Sequence, residues 1–240
     1  ITVPFLFFIF ENLNINPNYL MHLAVGTSFS IIIPTSTVSV LTHRKHKAVD
    51  MNIIKKYGIF VIAGVLIGTI FAALMNTKSL LLFFTIIVYF LGAYLLNLKE
   101  KTSKIKTKFN LIPRIFFGFI SGFISAPMGI GGAVMNVPIL RYFGYPINKA
   151  IGSAAAIGFI IAVFGAIGFL TTGSYLKVNL PLSVGFINIP AFLIFIPITM
   201  IMARVGANMV HKIDKSKIQK LFGIFLYVVG TIFLYRYLSI

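Results

Sequence analysis

The chain has 240 residues, of which 58% are hydrophobic and only 10% are charged, and its mean hydropathy is +0.98. A soluble domain is closer to half apolar, so this composition excludes that class and favours a polytopic α-helical membrane protein. The net charge of +17 does not indicate nucleic-acid binding, because the basic residues form short clusters between long uncharged runs. The sequence contains no cysteine, which excludes disulfides, thiol catalysis and cysteine metal sites.

Uncharged runs define the predicted membrane spans, because crossing about 30 Å of hydrocarbon takes roughly 20 helical residues. The run at 1–10 is too short to span, and the run at 112–140 is interrupted by glycine and proline. The other runs predict six spans, at 20–42, 57–75, 79–98, 150–172, 181–203 and 218–238.

The distribution of Lys and Arg predicts how the interrupted run sits in the membrane. These residues form three clusters, at 43–56, 97–114 and 204–220. The positive-inside rule expects all three on the cytoplasmic side, but an ordinary crossing at 112–140 would separate the last two. A re-entrant hairpin with short arms at 112–126 and 133–143 places 18 of the 21 Lys and Arg residues on that side. We therefore predict the hairpin, with a single kinked span as the alternative.

The chain also shows an internal repeat. Residues 2–6 resemble 136–140, and residues 24–28 resemble 150–154 in the same order. A unit made of a hairpin and three spans crosses the membrane an odd number of times, so two such units have opposite orientations. The alternative is that short glycine-containing matches arise by chance in apolar sequence.

The predicted architecture is therefore an all-α polytopic membrane protein with two inverted repeats, each a re-entrant hairpin plus three transmembrane helices. The first repeat covers 1–98, a basic cytoplasmic linker covers 99–111, and the second repeat covers 112–240. The first hairpin lacks its first arm, so if the native protein has two whole repeats, about two dozen further residues are expected upstream of Ile1.

The tract from Ser125 to Gly132 is the predicted ligand site. Its proline and glycines cannot continue a helix, and irregular backbone at membrane depth is tolerated only inside protein or along a cavity. A half-helix beginning near Gly132 offers an anion unpaired N–H groups and about half a positive charge. Glycines allow the backbone to approach an oxyanion closely. The candidate binding residues are Ser125, Gly129, Ile130, Gly131, Gly132 and Asn136, with the hydroxyls of Thr27, Ser28 and Ser153.

Structural roles compete with some of these assignments. Hydroxyls inside membrane helices often bond only to their own helix, which is the alternative for Thr27, Ser28 and Ser153. Gly118 and Gly122 have the four-residue spacing of helix contacts, so we predict that they pack helices together.

The acidic residues argue against cation transport and catalysis. All four lie in or beside predicted loops, at Glu11, Asp50, Glu100 and Asp214. Without a carboxylate at membrane depth, neither a proton relay nor a cation pump is supported. His22 is expected at the outer end of its span, as an interfacial residue. No catalytic pair and no set of metal ligands appears within a span, so we predict neither an enzyme nor a cofactor.

Several motifs resemble those of a known family. Gly118-x-x-x-Gly122, the tract from Ser125 to Gly132 and then Val137-Pro138-x-Leu140 together resemble the glycine-rich signature of the sulfite exporter (TauE/SafE) family. Residues 149–153 and 26–28 resemble its second recurring element. The chain departs from the pattern in two ways: the first glycine-rich motif is absent, and Ser153-Ala154 stands where a Thr-Ser pair is found at 27–28.

The resemblance implies a multi-pass permease of the bacterial inner membrane that moves small sulfur-containing anions, such as sulfite or organosulfonates. The alternatives are a transporter of another small solute or a metal ion, and a non-transport membrane assembly subunit. The predicted partners are a small inorganic or organic anion and the lipid bilayer, with no nucleic acid; the oligomeric state is not predicted.

Overall fold

The structure is a computed structural model that describes residues 2–97, 109–209 and 215–239, without the side chains of 215–218. Residues 99–108 of the predicted linker and 210–214 of the third basic cluster lie outside these ranges. Within them the chain forms nine α-helices: α1 (Thr2–Asn12), α2 (Leu20–Lys45), α3 (Met51–Leu74), α4 (Thr77–Asn97), α5 (Leu111–Met128), α6 (Ala133–Tyr142), α7 (Ile147–Tyr175), α8 (Ile189–Met209) and α9 (Lys215–Ser239). A 3-10 turn (Pro17–Tyr19) precedes α2, and two short antiparallel strands, β1 (Ser183–Val184) and β2 (Ile187–Asn188), precede α8.

Seven of the described helices are long and apolar enough to cross a membrane, which confirms the predicted all-α polytopic fold. These are α2, α3, α4, α5, α7, α8 and α9. The predicted bounds were least accurate for the span at 181–203, because α8 begins only at Ile189. The preceding residues turn back through left-handed backbone at Leu182 (φ 51°) and Gly185 (φ 56°), which a helix cannot accommodate.

The segment from α5 to α6 is a hairpin whose two ends meet. The ring of Phe109, just before α5, lies 4.4 Å from the ring of Phe143, just after α6, between centroids. Phe117, in the second turn of α5, also contacts Phe143 at 5.7 Å. A single kinked span would instead separate these residues by much of the bilayer thickness, so the geometry is that of the predicted hairpin.

The helix ends near the basic clusters lie on one side of the molecule, here called the basic face. Lys149, at the start of α7, pairs with Asp50, which precedes α3, at 3.7 Å. Near the end of α4, the carbonyl oxygen of Leu95 accepts a hydrogen bond of 2.6 Å from Gln219 of α9. On the other side, the opposite face, Glu11 pairs with Arg236. The described helices thus run between a basic face and a face with few charges.

Glycines bring α3 and α5 into close contact. A Cβ atom at Gly122 would overlap the carbonyl oxygen of Val61, and one at Gly64 would overlap that of Phe119. At Gly118 a Cβ atom would lie 2.9 Å from the Cβ of Phe60. Only residues without a side chain allow the two backbones to approach this closely, which confirms the packing role predicted for Gly118 and Gly122.

Candidate functional site

The turn at 129–132 joins α5 to α6 and depends on two glycines with left-handed backbone. Gly129 (φ 59°) is the C-cap of α5, and Gly132 (φ 65°) is the N-cap of α6. An L-residue with a side chain is strained in this conformation, so glycine is required at both positions. The sequence predicted a longer break, starting at Ser125, but α5 continues through Pro127 to Met128. The interruption of the helix is therefore confined to the four residues 129–132.

The turn lies at mid-depth in the helix bundle. The Cβ position of Gly131 is 3.4 Å from Ile32 Cγ2 and 3.8 Å from Gly158 Cα. Ile32 and Gly158 lie near the middles of α2 and α7, which both run between the two faces. The Ser28 hydroxyl also donates a 3.0 Å hydrogen bond to the carbonyl oxygen of Gly129. Two long helices thus hold the turn between the faces.

The start of α6 presents hydrogen-bond donors that the described residues leave unpaired. The N–H groups of 131–134 have no acceptor in the ranges 2–97, 109–209 and 215–239. The Ser125 side chain is 2% exposed, and its hydroxyl forms no hydrogen bond in the same ranges. Its oxygen lies 3.4 Å from the Cβ position of Gly132, beside these donors. Four unpaired backbone donors, the positive end of a helix and one hydroxyl therefore belong to the same short segment.

The Asn136 side chain fixes the first turn of α6 to its neighbours. Its oxygen accepts hydrogen bonds from the hydroxyls of Tyr57 (2.8 Å) and Ser121 (3.0 Å). Its amide nitrogen donates to the carbonyl oxygen of Gly132 at 2.8 Å, and the residue is fully buried. The amide predicted as a ligand is thus largely engaged in joining α3, α5 and α6, here called the Asn136 brace.

The three predicted hydroxyls are distributed over the molecule and do not converge on the turn. Only that of Ser28 contacts it. The Thr27 hydroxyl accepts from the N–H of Asn188 at 2.9 Å, toward the opposite face. The Ser153 hydroxyl accepts from the N–H of Asp50 at 3.0 Å, toward the basic face. Two of the three hydroxyls therefore bind the segments that precede α8 and α3.

Other predicted positions are placed as follows. Ile130 and Gly131 are half-buried at the turn, whereas Gly129 and Gly132 are buried. His22 is buried near the opposite face, where its Nε2 lies 3.1 Å from the carbonyl oxygen of Ala72. Its ring stacks on Phe186 with centroids 5.0 Å apart.

Three residues of the site were not anticipated. Tyr57 and Ser121 complete the Asn136 brace, and Gly158 lies against the turn, where a Cβ atom would overlap the Gly131 carbonyl oxygen. Gly158 follows the small residues 153–156, which is a signal of close helix packing. Tyr57 lies 79 positions from Asn136 in the chain, and no sequence pattern links the two.

Replacing Gly158 with alanine is expected to displace the turn, because the added methyl group meets backbone that cannot rotate away. We expect a roughly tenfold loss of transport, since overpacking of this kind costs about 1–3 kcal/mol. Transport rate and thermal stability in detergent would be measured together. Gly206→Ala is the matched control, because no atom lies within 4 Å of its Cβ position. Full activity of Gly158→Ala would show that the turn does not depend on this contact.

A cavity among the described residues lies away from the turn. It has a volume of about 490 Å³ and lies at the opposite face. Its lining residues are Glu11, Asn14, Ile15, Pro17, Asn18, Leu20, Asn76, Thr77 and Lys78. Most of its polar side chains are exposed and belong to the loops that flank α1 and α4, which makes it a surface recess. At the turn itself Gly129, Gly132 and Ser125 are buried, Gly131 is half-buried and Ala133 is exposed.

The fold and the hairpin define a multi-pass helical membrane protein with a broken helix at mid-depth, an architecture typical of transporters. A sequence model of the sulfite exporter TauE/SafE family matches residues 1–233, and the chain belongs to this family. It is therefore a membrane transporter that crosses the membrane several times, as predicted. The bacterial inner membrane predicted for it is consistent with these findings.

Curated relatives are described in similar terms. A probable membrane transporter protein of Haemophilus influenzae is 28% identical over 233 residues, covering 96% of this chain and 87% of the relative. One from Methanocaldococcus jannaschii is 25% identical over 98% of this chain and 86% of its own length. The Bacillus subtilis protein YunE, also a probable membrane transporter protein, is 25% identical over 98% of this chain and 89% of its own length. No solved structure matches the chain significantly.

Proposed function

We propose that this transporter is a permease for small oxyanions, with sulfite or an organosulfonate as its cargo, and that the anion binds at the start of α6. The observation that carries this proposal is the set of unpaired N–H groups at 131–134 beside the unpaired hydroxyl of Ser125. An oxyanion accepts hydrogen bonds from all of these groups, and the helix end adds a partial positive charge.

The chemistry of the turn favours an anion over a cation. A metal ion needs oxygen, nitrogen or sulfur ligands, and no group of three or more His, Asp or Glu side chains suited to a metal occurs among the described residues. At the turn, the carbonyl oxygen of Gly129 is occupied by Ser28, and that of Gly132 by Asn136. With these two acceptors engaged and the N–H groups of 131–134 unpaired, the turn offers hydrogen-bond donors to a ligand, which supports an anionic cargo.

The same proposal includes two inverted repeats that rock about the turn. The N–H of Asp50, before α3, binds Ser153 of α7, while the N–H of Asn188, before α8, binds Thr27 of α2. These contacts relate equivalent positions of the two predicted repeats and lie toward opposite faces. They support an inverted arrangement, in which rocking of one repeat against the other exposes a central site alternately.

Flux of sulfite and of a short alkanesulfonate into liposomes tests the proposal, with Ser125→Ala as the informative variant. A hydrogen bond to a charged group is worth about 1.5 kcal/mol or more, so we expect the KM for the anion to rise about tenfold. Ser30→Ala is the matched control, because the buried Ser30 hydroxyl bonds only to Gly26 and Thr27 of its own helix. Absence of flux above empty vesicles for every sulfur anion tested would contradict the proposed cargo.

A further inference from the structure

Two matching contacts flank the turn, one toward each face. In the basic-face dock, Ser153 accepts from the N–H of Asp50, and Gly152 packs against the carbonyl oxygen of Ala48. In the opposite-face dock, Thr27 accepts from the N–H of Asn188, and Gly26 packs against the carbonyl oxygen of Phe186. Each dock thus joins a Gly-hydroxyl pair on a long helix to the segment that leads into another helix. In each dock, the glycine has no Cβ atom, so the backbone of that segment packs directly against the helix.

Capping of α3 and α8 does not explain these docks. The Asp50 carboxylate already accepts from the N–H of Asn52 at 3.0 Å, and the Asn188 side chain accepts from the N–H of Ala191 at 3.0 Å. Both helices therefore have side-chain caps of their own. The bonds to Ser153 and Thr27 add something else, because they hold the two segments against α7 and α2.

The docks are placed symmetrically about the turn. Gly131 lies between Ile32 of α2 and Gly158 of α7. Ile32 follows Thr27 by five positions, and Gly158 follows Ser153 by five positions, which is about 7.5 Å along a helix in each case. One dock therefore lies between the unpaired donors at 131–134 and the basic face, and the other lies between these donors and the opposite face.

We propose that the two docks are the gates of the transport pathway, so that Ser153 and Thr27 close it toward the basic face and the opposite face respectively. This inference rests on the proposed function of the turn. Both gates are closed in this structure, in agreement with the burial of Gly129 and Gly132. Each gate is one neutral hydrogen bond with a close backbone contact, which is weak enough to open and re-form in every cycle. An ion pair between Lys149 and Asp50 at 3.7 Å strengthens the basic-face gate alone.

Cysteine cross-linking tests the gates without knowledge of the cargo, since the sequence has no cysteine of its own. Asp50→Cys with Ser153→Cys locks the basic-face gate, and Thr27→Cys with Asn188→Cys locks the opposite-face gate, by oxidation or with a short bis-thiol reagent. Ser125→Cys is the reporter, because Ser125 is buried beside the turn and becomes accessible only when a gate opens. A membrane-impermeant maleimide is then added from either side of oriented vesicles.

We expect each lock to slow labelling of the reporter at least tenfold from its own side only, and reduction to restore it. A lock between α4 and α9, made from Gly92→Cys and Gly223→Cys, is the control, since the Cβ position of each lies within 3.4 Å of the other's carbonyl oxygen, away from the turn. Two results would contradict the proposed gates. One is labelling at the same rate with and without each lock, and the other is no labelling from either side of the unlocked protein. Because labelling needs no substrate, this failure differs from a negative sulfite flux, which bears only on the cargo.

Discussion

Alanine at both Gly129 and Gly132 is expected to reduce anion transport at least tenfold while leaving the protein inserted in the membrane. Both glycines have left-handed backbone, with φ of 59° and 65°. A side chain in this conformation costs about 1–2 kcal/mol at each position, so the turn relaxes to another geometry and its N–H donors move apart. Steric contact adds to this cost, because a methyl group at Gly129 meets Val3 Cγ2 at 2.7 Å and one at Gly132 overlaps Ile161 Cδ1.

Initial rates of sulfite uptake into liposomes, normalised to the amount of reconstituted protein, would measure this effect. Gly206→Ala again serves as the control, because a methyl group there meets open space. Unchanged transport by the double variant would mean that the conformation of the turn is irrelevant to the cargo.

Replacing Asn136 with leucine is expected to destabilise the protein by about 1–3 kcal/mol and to reduce transport with it. The change preserves volume but removes the acceptor of the Ser121 and Tyr57 hydroxyls and the donor to the Gly132 carbonyl oxygen. Polar groups left buried without partners account for the cost. Thermal unfolding in detergent and sulfite uptake would be measured on the same preparation.

Tyr57→Phe separates the two roles considered for Asn136. If the brace positions α6, this variant also lowers stability and weakens transport, because it removes one of the hydrogen bonds that hold Asn136 in place. If Asn136 instead binds the anion directly, Asn136→Leu loses transport at unchanged stability and Tyr57→Phe behaves as the native protein.

The hairpin was predictable because charge distribution constrains topology. Only a segment that returns to its own face lets the clusters around Lys55, Arg114 and Arg204 share one side, and the contact between Phe109 and Phe143 agrees with that argument. The turn was predictable because left-handed backbone and close approach both require glycine, and Gly129 and Gly132 have that conformation.

Other features depend on contacts that a single sequence does not encode locally. Thr27 and Ser153 are equivalent hydroxyls, but their partners lie 161 and 103 positions away, so they were assigned to a ligand site instead of to the segments before α8 and α3. The late start of α8 was missed because Leu182 and Phe186 are apolar, although they belong to a turn and not to a span. The engagement of Asn136 with α3 and α5 likewise became apparent only in the fold.

The location of a bound anion tests the account most directly. Selenite, a heavier analogue of sulfite, can be located by the anomalous scattering of selenium in crystals of the purified protein. The account predicts a peak within hydrogen-bonding distance of the N–H groups of 131–134 and of Ser125 Oγ. A peak in the surface cavity beside Glu11 and Lys78, with none at the start of α6, would contradict it.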